Sequence, residues 1–395
     1  MIRDQENATP PDKAEEILRA YTFEPKSELI DLREAHGRVL FQPAVCPRDS
    51  PPFSKSAMDG YAVRSADSGK SFSIMGTLAA GDAPKFAPER GECVKIMTGA
   101  PMPQGTDKVV RVEYTREEAG RMILLQPEPA DNVILQGSNH RQGEVFMRPK
   151  RLTPRDIGIL ASYGFDRVSV ALPPKVAIIP TGTELQVPGR SLQPGQIYNS
   201  NGFQLGAQTA ETGCPCRIFD IVNDESAALE KTLRLAMEQS DVVLLSGGVS
   251  MGDYDYVPDG IRKIGADIIL HGLAVKPGKP TLFAVKDSTY IFGMPGNPVS
   301  TFVIFEVFVK PFLFRMMGIE YRPTVVRGTL TETLRRRFAD RVEFRPVTIT
   351  EDKIHILPYH GSANLDALGE ANALLRIEQG EHECPKGEER DVRLL

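Results

Sequence analysis

The chain has 395 residues, of which 41% are hydrophobic, with a formal net charge of −5 and a pI near 5.8. A chain of this length is expected to fold into two to four domains with buried cores. The acidic balance, without a block of basic residues, argues against nucleic acid as a main partner. Residues 1–13 contain no apolar segment and no run approaches the length of a membrane helix, so we predict a cytoplasmic protein without membrane contact.

The five cysteines do not form the two closely spaced pairs that a structural zinc site requires; they are Cys46, Cys93, Cys214, Cys216 and Cys384. Cys214 and Cys216 flank a proline and invite interpretation as a reactive thiol pair. We favour ordinary reduced cysteines, which are the usual state in the cytoplasm.

The first part of the chain combines short elements with proline-rich connections. Residues 12–21 have the spacing of an amphipathic helix, and residues 29–40 are predicted to form a strand and a brief helical turn that Gly37 ends. Residues 43–52 are proline-rich and are expected to run extended between two lobes. From residue 60 to residue 150, short apolar runs alternate with Gly, Pro and Asp turns, which predicts an all-β module.

A helix with clear start and stop signals follows this module. Thr153 is the predicted N-cap, Pro154 occupies the first helical position, and Gly164 ends the helix. Residues 172–174, Leu-Pro-Pro, form a second predicted linker.

The hydrophobic pattern changes after residue 175. Apolar strands alternate with amphipathic helices, with strands at 176–182, 216–222 and 242–247 and helices at about 201–213, 225–239 and 299–318. This order predicts a parallel, doubly wound sheet that binds ligands at the carboxyl ends of its strands. Short strands return after Arg322 and predict a small C-terminal β-barrel or sandwich. With β-rich segments on both sides of one α/β domain, we expect an elongated, multi-lobed subunit.

Three glycine- and proline-rich loops adjoin apolar runs in the α/β region: SGGVSMGDYD (246–255), VKPGKP (275–280) and GMPGNPVS (293–300). Glycines just past a strand let a ligand approach the backbone, and helix N-termini there favour anions. Lys276 and Lys279 add fixed positive charge. We therefore predict a site for a bulky phosphorylated or oxyanionic ligand.

These loops belong to a longer series of motifs. PPFSKSAMDGYAV (51–63), KIMTGAPMPQGTDKVVRVE (95–113), PTGTEL (180–185) and HGSAN (360–364) accompany them in order along the chain. From about residue 12 to the C-terminus the sequence resembles the molybdopterin molybdotransferases, the family of MoeA and the gephyrin E-domain. A single motif such as SGG is weak evidence, whereas seven motifs in the family order are strong evidence.

The resemblance implies a four-part division of the chain. The expected parts are a linking and dimerisation domain (1–28, 43–53 and 138–173), a β-rich domain (29–42 and 54–137), an α/β molybdopterin-binding domain (174–320) and a C-terminal β-barrel (321–395). It also implies a homodimer whose active site is shared between subunits, with the Asp59 lobe of one subunit facing the α/β domain of the other.

The resemblance further implies a reaction. Molybdate, or tungstate, binds the dithiolene of adenylated molybdopterin, the phosphoanhydride is hydrolysed, and AMP leaves. Such chemistry needs donors for the anions, carboxylates for Mg²⁺, which prefers oxygen ligands, and a well-placed water.

The implied binding residues lie on the motif loops. Lys276 and Lys279 are expected to line the molybdate and phosphate pocket rather than to be solvated surface lysines. Pro295, Gly296, Asn297 and Pro298 are expected to form the opposite wall, where they also make a tight turn before a helix. The other implied substrate-binding residues are Thr98, Ser246, Gly247, Gly248, Ser250, Asp253 and Ser362.

The implied catalytic carboxylates are Asp59, Glu184 and Asp241, with Glu184 and Asp241 as the Mg²⁺ ligands. Each has a structural alternative: Asp241 could cap the entry to its strand, Glu184 its own turn, and Asp59 an Asp-Gly turn. Asp253 and Asp255 could ligate Mg²⁺ or a ribose, or simply occupy a glycine turn.

The sequence departs from the family pattern at three places. Ile134 stands where the family usually has arginine, and Asn139 stands at a usual aspartate. Near the C-terminus, Arg345 is displaced by one residue and Pro346 occupies the usual arginine position. Because a shift of one residue reverses the face of a strand, Arg345 is expected to point away from the family site.

Three functional hypotheses follow. The leading one is a molybdotransferase, with the upstream adenylyltransferase and apo-molybdoenzymes as candidate partners. The second is a diverged paralogue that handles tungstate or that stores and delivers cofactor, which Asn139 and Pro346 favour. The third is a non-catalytic scaffold, which would not require an intact KPGK motif or Asp59. The adenylyltransferase itself is set aside because its family lacks the β lobes.

Overall fold

The computed structural model describes residues 8–249, 256–358, 361 and 363–395. The chain divides into two compact units. The large unit comprises Met1–Leu29, Gly37–Phe41 and Ser169–Leu395, and the small unit comprises Ile30–His36 and Gln42–Val168. The finer division into four domains stays a prediction. Across the described ranges, each helix is too short or too polar to span a lipid bilayer.

The elements up to residue 171 are short and mostly extended. In chain order they are α1 (Pro11–Arg19), β1 (Ser27–Asp31), a 3₁₀ helix (Leu32–Glu34), β2 (Ala44–Val45), β3 (Lys55–Ser56), β4 (Gly60–Val63), β5 (Ser71–Leu78), β6 (Glu92–Ile96), β7 (Lys108–Arg111), a 3₁₀ helix (Val112–Tyr114), β8 (Thr115–Glu118), β9 (Arg121–Leu124), β10 (Val133–Ile134), β11 (Val145–Met147), α2 (Pro154–Ser162) and β12 (Arg167–Ala171).

Helix α2 begins and ends where the sequence signals predict. The backbone N–H and the hydroxyl of Thr153 donate to Asp156 Oδ2 at 2.8 and 2.6 Å, and Pro154 fills the first helical position. Gly164, just beyond the helix, has φ of 86°, a left-handed conformation that glycine adopts without strain.

The core of the small unit is a sheet in the order β7-β4-β6-β5-β9-β8. Its neighbouring strands are antiparallel except for β5 and β6, which run parallel. Alternate residues of β4 and β5 point inward, so Tyr61, Val63 and Phe72 are buried together with Cys93 and Met122. The prediction of an all-β module is confirmed.

A buried ion pair ties this sheet to the loop after β9. Glu128 is 7% exposed, and its carboxylate accepts hydrogen bonds from Nε and Nη2 of Arg111 at 2.8 and 2.9 Å. These bonds favour the ionised form and lower the Glu128 pKa from 4.5 to about 2. The carboxylate therefore stabilises the fold fully above pH 4.5, and that stabilisation is lost as the pH falls towards 2.

We expect Glu128→Gln to flatten the decrease in unfolding free energy between pH 4.5 and pH 3, because the variant has no carboxylate to protonate. Urea denaturation at pH 5, 4 and 3 measures this. Glu118→Gln is the control, since Glu118 is an exposed carboxylate on the same sheet. A parallel loss of stability in wild type and Glu128→Gln would contradict the prediction.

The elements of the α/β region alternate as predicted. They are β13 (Val176–Pro180), β14 (Leu185–Gln186), β15 (Ile197–Tyr198), α3 (Ser200–Glu211), β16 (Cys216–Ile218), α4 (Ser226–Gln239), β17 (Val242–Ser246), α5 (Tyr256–Lys263), β18 (Asp267–His271), β19 (Val275–Lys276), β20 (Leu282–Lys286), β21 (Thr289–Met294), α6 (Pro298–Ile304), a π-helix (Phe305–Val309) and α7 (Lys310–Met316).

The main sheet of this region has the order β16-β13-β17-β21-β20-β18. The first four strands are parallel, as predicted. The sheet departs from the predicted parallel arrangement at β20, which runs antiparallel to both β21 and β18. Strands β20 and β21 are joined by Asp287 and Ser288 alone, and a two-residue turn can connect antiparallel strands but not parallel ones.

Both faces of this sheet are covered by apolar cores. Along β13, Val176 and Ile178 lie in one cluster with residues of α6 and α7, whereas Ala177 and Ile179 lie in another with residues of α4 and α5. Burial on both faces explains why the sequence of the strand is a continuous apolar run.

The remaining strands form a closed barrel. They are β22 (Val325–Leu330), β23 (Leu334–Arg335), β24 (Val342–Thr350), β25 (Lys353–Ile356), β26 (Ala373–Ile377), β27 (Glu383–Cys384) and β28 (Glu389–Leu394), with a 3₁₀ helix at Leu365–Leu368. The order β24-β25-β22-β28-β26 closes because β26 also pairs with β24. A barrel rather than a sandwich is therefore present, and β19 joins it by pairing with β24.

Candidate functional site

The parallel strands of the α/β region end side by side, which brings the motif loops together. Pro180 at the end of β13 is in register with Ser246 at the end of β17, and Ser246 is in register with Met294 at the end of β21. The TGTEL, SGG and GMPGNP segments therefore lie at one edge, which we call the carboxyl edge.

Glycines make the contacts within this edge possible. Gly247 has φ of 105°, and a Cβ there would lie 2.4 Å from the carbonyl oxygen of Thr181. A Cβ on Gly248, with φ of 64°, would lie 2.9 Å from a methyl group of Val257. The backbone N–H of Gly247 donates to Met294 O at 3.1 Å, so the loops after β17 and β21 are bonded to each other. Any side chain at Gly247 would force these loops apart.

The loop after β21 is held firmly in place. The Thr301 hydroxyl donates to Pro295 O at 2.6 Å, and Asn201 Nδ2 donates to Gly296 O at 2.7 Å. Asn297 is the N-cap of α6, and Pro298 begins the helix. The predicted turn before a helix is confirmed, and the role of this loop as a wall of the site stays a prediction.

Two acidic side chains lie at the carboxyl edge. Glu184 is exposed, and its carboxylate folds back over Gly182, with Oε2 2.5 Å from the point where a Cβ on that glycine would lie. Asp224 follows Val222, which bridges to Thr181, and its Oδ2 accepts from the N–H and hydroxyl of Thr183 at 3.3 and 3.4 Å.

The sequence analysis missed Asp224. The signal was present, because Asp224 comes just after the strand predicted at 216–222; in the structure β16 ends at Ile218, and Val222 forms an isolated bridge to Thr181 just beyond β13. Glu184 was identified through the family resemblance, whereas the rule that ligands bind at the carboxyl ends of parallel strands would have pointed to Asp224.

Asp241, the third predicted acid of the α/β region, does not belong to this group. It immediately precedes β17, so the whole length of that strand separates it from the SGG loop. Its Oδ2 accepts from the backbone N–H of Lys175 at 2.7 Å, and its carbonyl oxygen accepts from Tyr290 N. Asp241 therefore caps the entry to the sheet, and the structure does not bring it together with Glu184, the other predicted Mg²⁺ ligand.

The KPGK loop reaches the carboxyl edge because β20 is antiparallel. Leu282, the first residue of β20, pairs with Gly293 near the end of β21, so the residues just before Leu282 lie beside the GMPGNP loop. Gly278 approaches α6 closely, since a Cβ there would lie 2.5 Å from Ile304 Cδ1. The antiparallel strand thus brings two lysines to the edge.

The two lysines of this loop differ in their surroundings. Lys276 is half-buried, and its ammonium lies 3.1 Å from the carboxylate of Glu343 on the barrel strand β24. Lys279 is also half-buried, but within the described ranges its ammonium makes no hydrogen bond or ion pair. The loop is therefore anchored at Lys276, whereas the ammonium of Lys279 has no partner among the residues that the structure describes.

Asp59 and Thr98 lie together in the small unit. The backbone N–H and hydroxyl of Thr98 donate to Asp59 Oδ1 at 2.7 and 2.9 Å. These bonds lower the pKa of the exposed Asp59 carboxyl. Asp59 is therefore an ionised carboxylate at neutral pH, with Oδ2 directed to no other described residue.

The departures from the family pattern have clear positions. Asn139 and Ile134 are exposed in the small unit, where Ile134 pairs with Lys55 of β3. On β24, Arg345 contacts Glu343 at 3.4 Å and shares its face, whereas Pro346 occupies the opposite face. This agrees with the expectation that the one-residue shift turns Arg345 away from the position of the family arginine.

Two groups of predicted residues remain, namely four site residues that the structure does not describe and the cysteines. Ser250, Asp253, Asp255 and Ser362 lie outside the described residues. Cys214 and Cys216 are unpaired thiols, and burial raises the Cys214 pKa to about 11. A thiol with a raised pKa is a poor nucleophile, which supports the interpretation as ordinary cysteines.

Comparison with known families accounts for most of the chain. Residues 9–164 match the MoeA N-terminal region (domains I and II), residues 177–315 match a probable molybdopterin-binding domain, and residues 332–395 match the MoeA C-terminal region (domain IV).

Similar proteins match over nearly the full length. The molybdopterin molybdenumtransferase of Staphylococcus epidermidis is 32% identical, with 98% of this chain and 96% of the relative covered. That of a Nostoc species is 34% identical over 93% of this chain and 88% of the relative. The solved structure of the molybdopterin biosynthesis MoeA protein of Pyrococcus horikoshii has a TM-score of 0.87 at 28% identity, over 98% of this chain and 100% of that one. The chain therefore belongs to the MoeA family of molybdopterin molybdenumtransferases.

Proposed function

We propose that this chain catalyses the Mg²⁺-dependent insertion of molybdate into adenylated molybdopterin with release of AMP. Family membership makes it a transferase of molybdenum cofactor biosynthesis. The observation that carries the finer proposal is the meeting, at one edge, of the KPGK lysines, the glycine loops, and the carboxylates of Glu184 and Asp224.

The carboxyl edge suits a substrate with several anionic groups. Lys279 offers an ammonium without a partner in the described ranges, and Lys276 adds a second ammonium on the same loop. Gly247 and Gly248 let the loop after β17 pack closely against Thr181 and Val257, which holds the carboxyl ends of the strands together at this edge. Molybdate and phosphate groups are anions that such donors bind well.

The residues present fit a magnesium ion that the substrate helps to hold. Glu184 and Asp224 are hard oxygen donors on adjacent loops of the edge. Within the described ranges no cluster of three or more acidic, His or Cys side chains is arranged to hold a metal, so the phosphate oxygens would complete the ligand set. When bound, Mg²⁺ would neutralise charge on the phosphoanhydride.

We further propose that the protein acts in the cytoplasm as a homodimer, with Asp59 and Thr98 of one subunit completing the site of the other. The family resemblance and the placement of Asp59 and the KPGK loop in different units of the chain support this. Candidate partners are the upstream adenylyltransferase and apo-molybdoenzymes.

A defined assay tests the proposed reaction. Purified protein is incubated with adenylated molybdopterin, Mg²⁺ and either molybdate or tungstate, and the release of AMP and the activation of an apo-molybdoenzyme are followed. We expect both readouts with molybdate. AMP release with tungstate alone would favour the diverged paralogue, which Asn139 and Pro346 support, and no release with either oxyanion would exclude the enzyme.

Lys276→Ala and Lys279→Ala are each expected to weaken substrate binding. A charge-assisted hydrogen bond contributes about 1.5–3 kcal/mol, which corresponds to a roughly 10- to 100-fold increase in Kd. The fold should persist in Lys276→Ala because Glu343 keeps two arginine partners. Equilibrium titration with adenylated molybdopterin measures the effect.

Lys286→Ala is the matched control for both lysine variants. Lys286 lies at the far end of β20, near Asp287, and away from the carboxyl edge. If Lys276→Ala and Lys279→Ala bound the substrate as tightly as Lys286→Ala, the assignment of the anion pocket would be wrong.

A further inference from the structure

A buried carboxylate of the barrel supports the KPGK loop. The side chain of Glu343 is 1% exposed and lies where β24 pairs with β19, with Lys276 directly opposite Glu343 in the parallel register. The same junction is bonded through the main chain, because Val342 N donates to Ala274 O at 3.1 Å. Lys276 is thus attached to the barrel through both its backbone and its ammonium.

Glu343 is itself fixed from the opposite side. Arg336, whose side chain is 2% exposed, places Nε 3.1 Å from Glu343 Oε2, an ion-pair contact whose angle does not fit a hydrogen bond. The guanidinium of Arg336 also donates to the carbonyl oxygens of Glu378, Glu381 and Arg341. With Arg336 held by three carbonyls, the carboxylate has little freedom to move.

Three cations contact the carboxylate of Glu343. Lys276, Arg336 and Arg345 share one carboxylate, at 3.1, 3.1 and 3.4 Å. This one carboxylate does not by itself neutralise the three cations. The ammonium of Lys276, the most exposed of the three with 36% of its side chain accessible, therefore remains attractive to an anion.

We propose that Glu343 is a positioning residue that holds the Lys276 ammonium in place at the mouth of the anion site. It does not touch the substrate, and it acts by restricting where Lys276 can donate. Fixing a flexible lysine before the ligand arrives reduces the conformational entropy that binding would otherwise cost. This inference rests on the proposed function, because it takes the bound anion to be molybdate or the phosphate of the pterin.

Replacing Glu343 by glutamine separates positioning from charge. The substitution removes a negative charge, so a purely electrostatic role predicts tighter binding of anions. A positioning role predicts weaker binding although the site has become more positive. A role confined to stabilising the barrel predicts no change in affinity at a temperature where the variant is folded.

The test is a double-mutant cycle of Glu343→Gln and Lys276→Met, read as the Kd of inorganic molybdate by calorimetry on the full chain. We expect Glu343→Gln to raise Kd about tenfold in wild type and less than about twofold in the Lys276→Met background. Glu343→Asp, which retains the charge beside Arg336, provides a second variant if the glutamine protein does not fold, and the shorter side chain is expected to weaken binding in the same Lys276-dependent way.

Unchanged or tighter binding in both Glu343 variants, additive effects in the cycle, or no saturable molybdate binding by wild type would each overturn the inference. AMP release by wild type is measured separately. A protein that releases AMP but shows an additive cycle refutes the role of Glu343 alone, whereas a coupled cycle without AMP release refutes the proposed reaction alone.

Discussion

Replacing Asp224 by asparagine is expected to slow Mg²⁺-dependent AMP release by about 10- to 100-fold, whereas Asp241→Asn should leave the rate close to that of wild type. Asp224 lies at the carboxyl edge, where Thr183 donates to it from both its backbone and its hydroxyl. An amide binds Mg²⁺ more weakly than a carboxylate, because it carries no charge. The loss should therefore shrink as the Mg²⁺ concentration is raised.

Asp241 provides the matched control for this prediction. It is an aspartate of the same sheet at the opposite end of β17, and its carboxylate accepts one hydrogen bond from Lys175 N. Asparagine retains an oxygen that can accept this bond, so the sheet entry stays capped. Equal rates for the two variants, or a larger loss in Asp241→Asn, would show that the metal-binding edge has been assigned to the wrong end of the sheet.

The repeating elements of the fold were predictable from the sequence because local chemistry determines them. Thr153, Pro154 and Gly164 are start and stop signals of a helix, and each acts within a few residues. The apolar runs of β13 and β17 indicated strands buried on both faces. Burial alone does not specify direction, however, so the antiparallel β20 was not predicted.

The sequence predicted which loops form the candidate site, but it did not predict all of the acidic residues that lie there. The SGG and KPGK motifs can be recognised in the sequence by their glycine, proline and lysine residues. The structure brings both motifs to the carboxyl edge of the sheet. The sequence alone does not show whether an aspartate next to a strand lies at the amino or the carboxyl end of that strand, unless the bounds of the strand are known. Asp241 immediately precedes β17 and bonds to Lys175 N, whereas Asp224 lies at the carboxyl edge and bonds to Thr183 N, so the two aspartates occupy opposite ends of the sheet.

Contacts between residues far apart in the chain could not be predicted from the sequence. Lys276 and Glu343 are separated by 67 residues and meet only because β19, which follows the α/β strand β18, pairs with β24 of the barrel. From the sequence, Lys276 is predicted to lie in a loop and Glu343 on a strand, and nothing in either segment indicates that they interact. Their pairing depends on the register between β19 and β24, two strands far apart in the sequence, which no local pattern encodes.

The second large effect is an expected recovery of activity when two inactive variants are combined in one heterodimer. Asp59→Ala and Lys276→Ala homodimers should each be nearly inactive, because each lacks a charged group in both of its sites. A heterodimer of the two variants, purified through two different affinity tags, should recover about half of the wild-type rate. In a shared arrangement, one of its two sites carries both substitutions and the other carries neither.

A control heterodimer shows whether the recovery of activity depends on which residues are substituted. A Lys276→Ala and Lys279→Ala heterodimer is the control, since both lysines lie on one loop of the same unit and every site then keeps one lesion. It should stay as inactive as its parents. If Asp59 instead served the site of its own subunit, the Asp59→Ala and Lys276→Ala heterodimer would also carry one lesion in each site and would not recover. A monomeric protein at micromolar concentration would exclude the shared site as well. Recovery in the first pair together with none in the control therefore requires that Asp59 and Lys276 of different subunits act on one substrate.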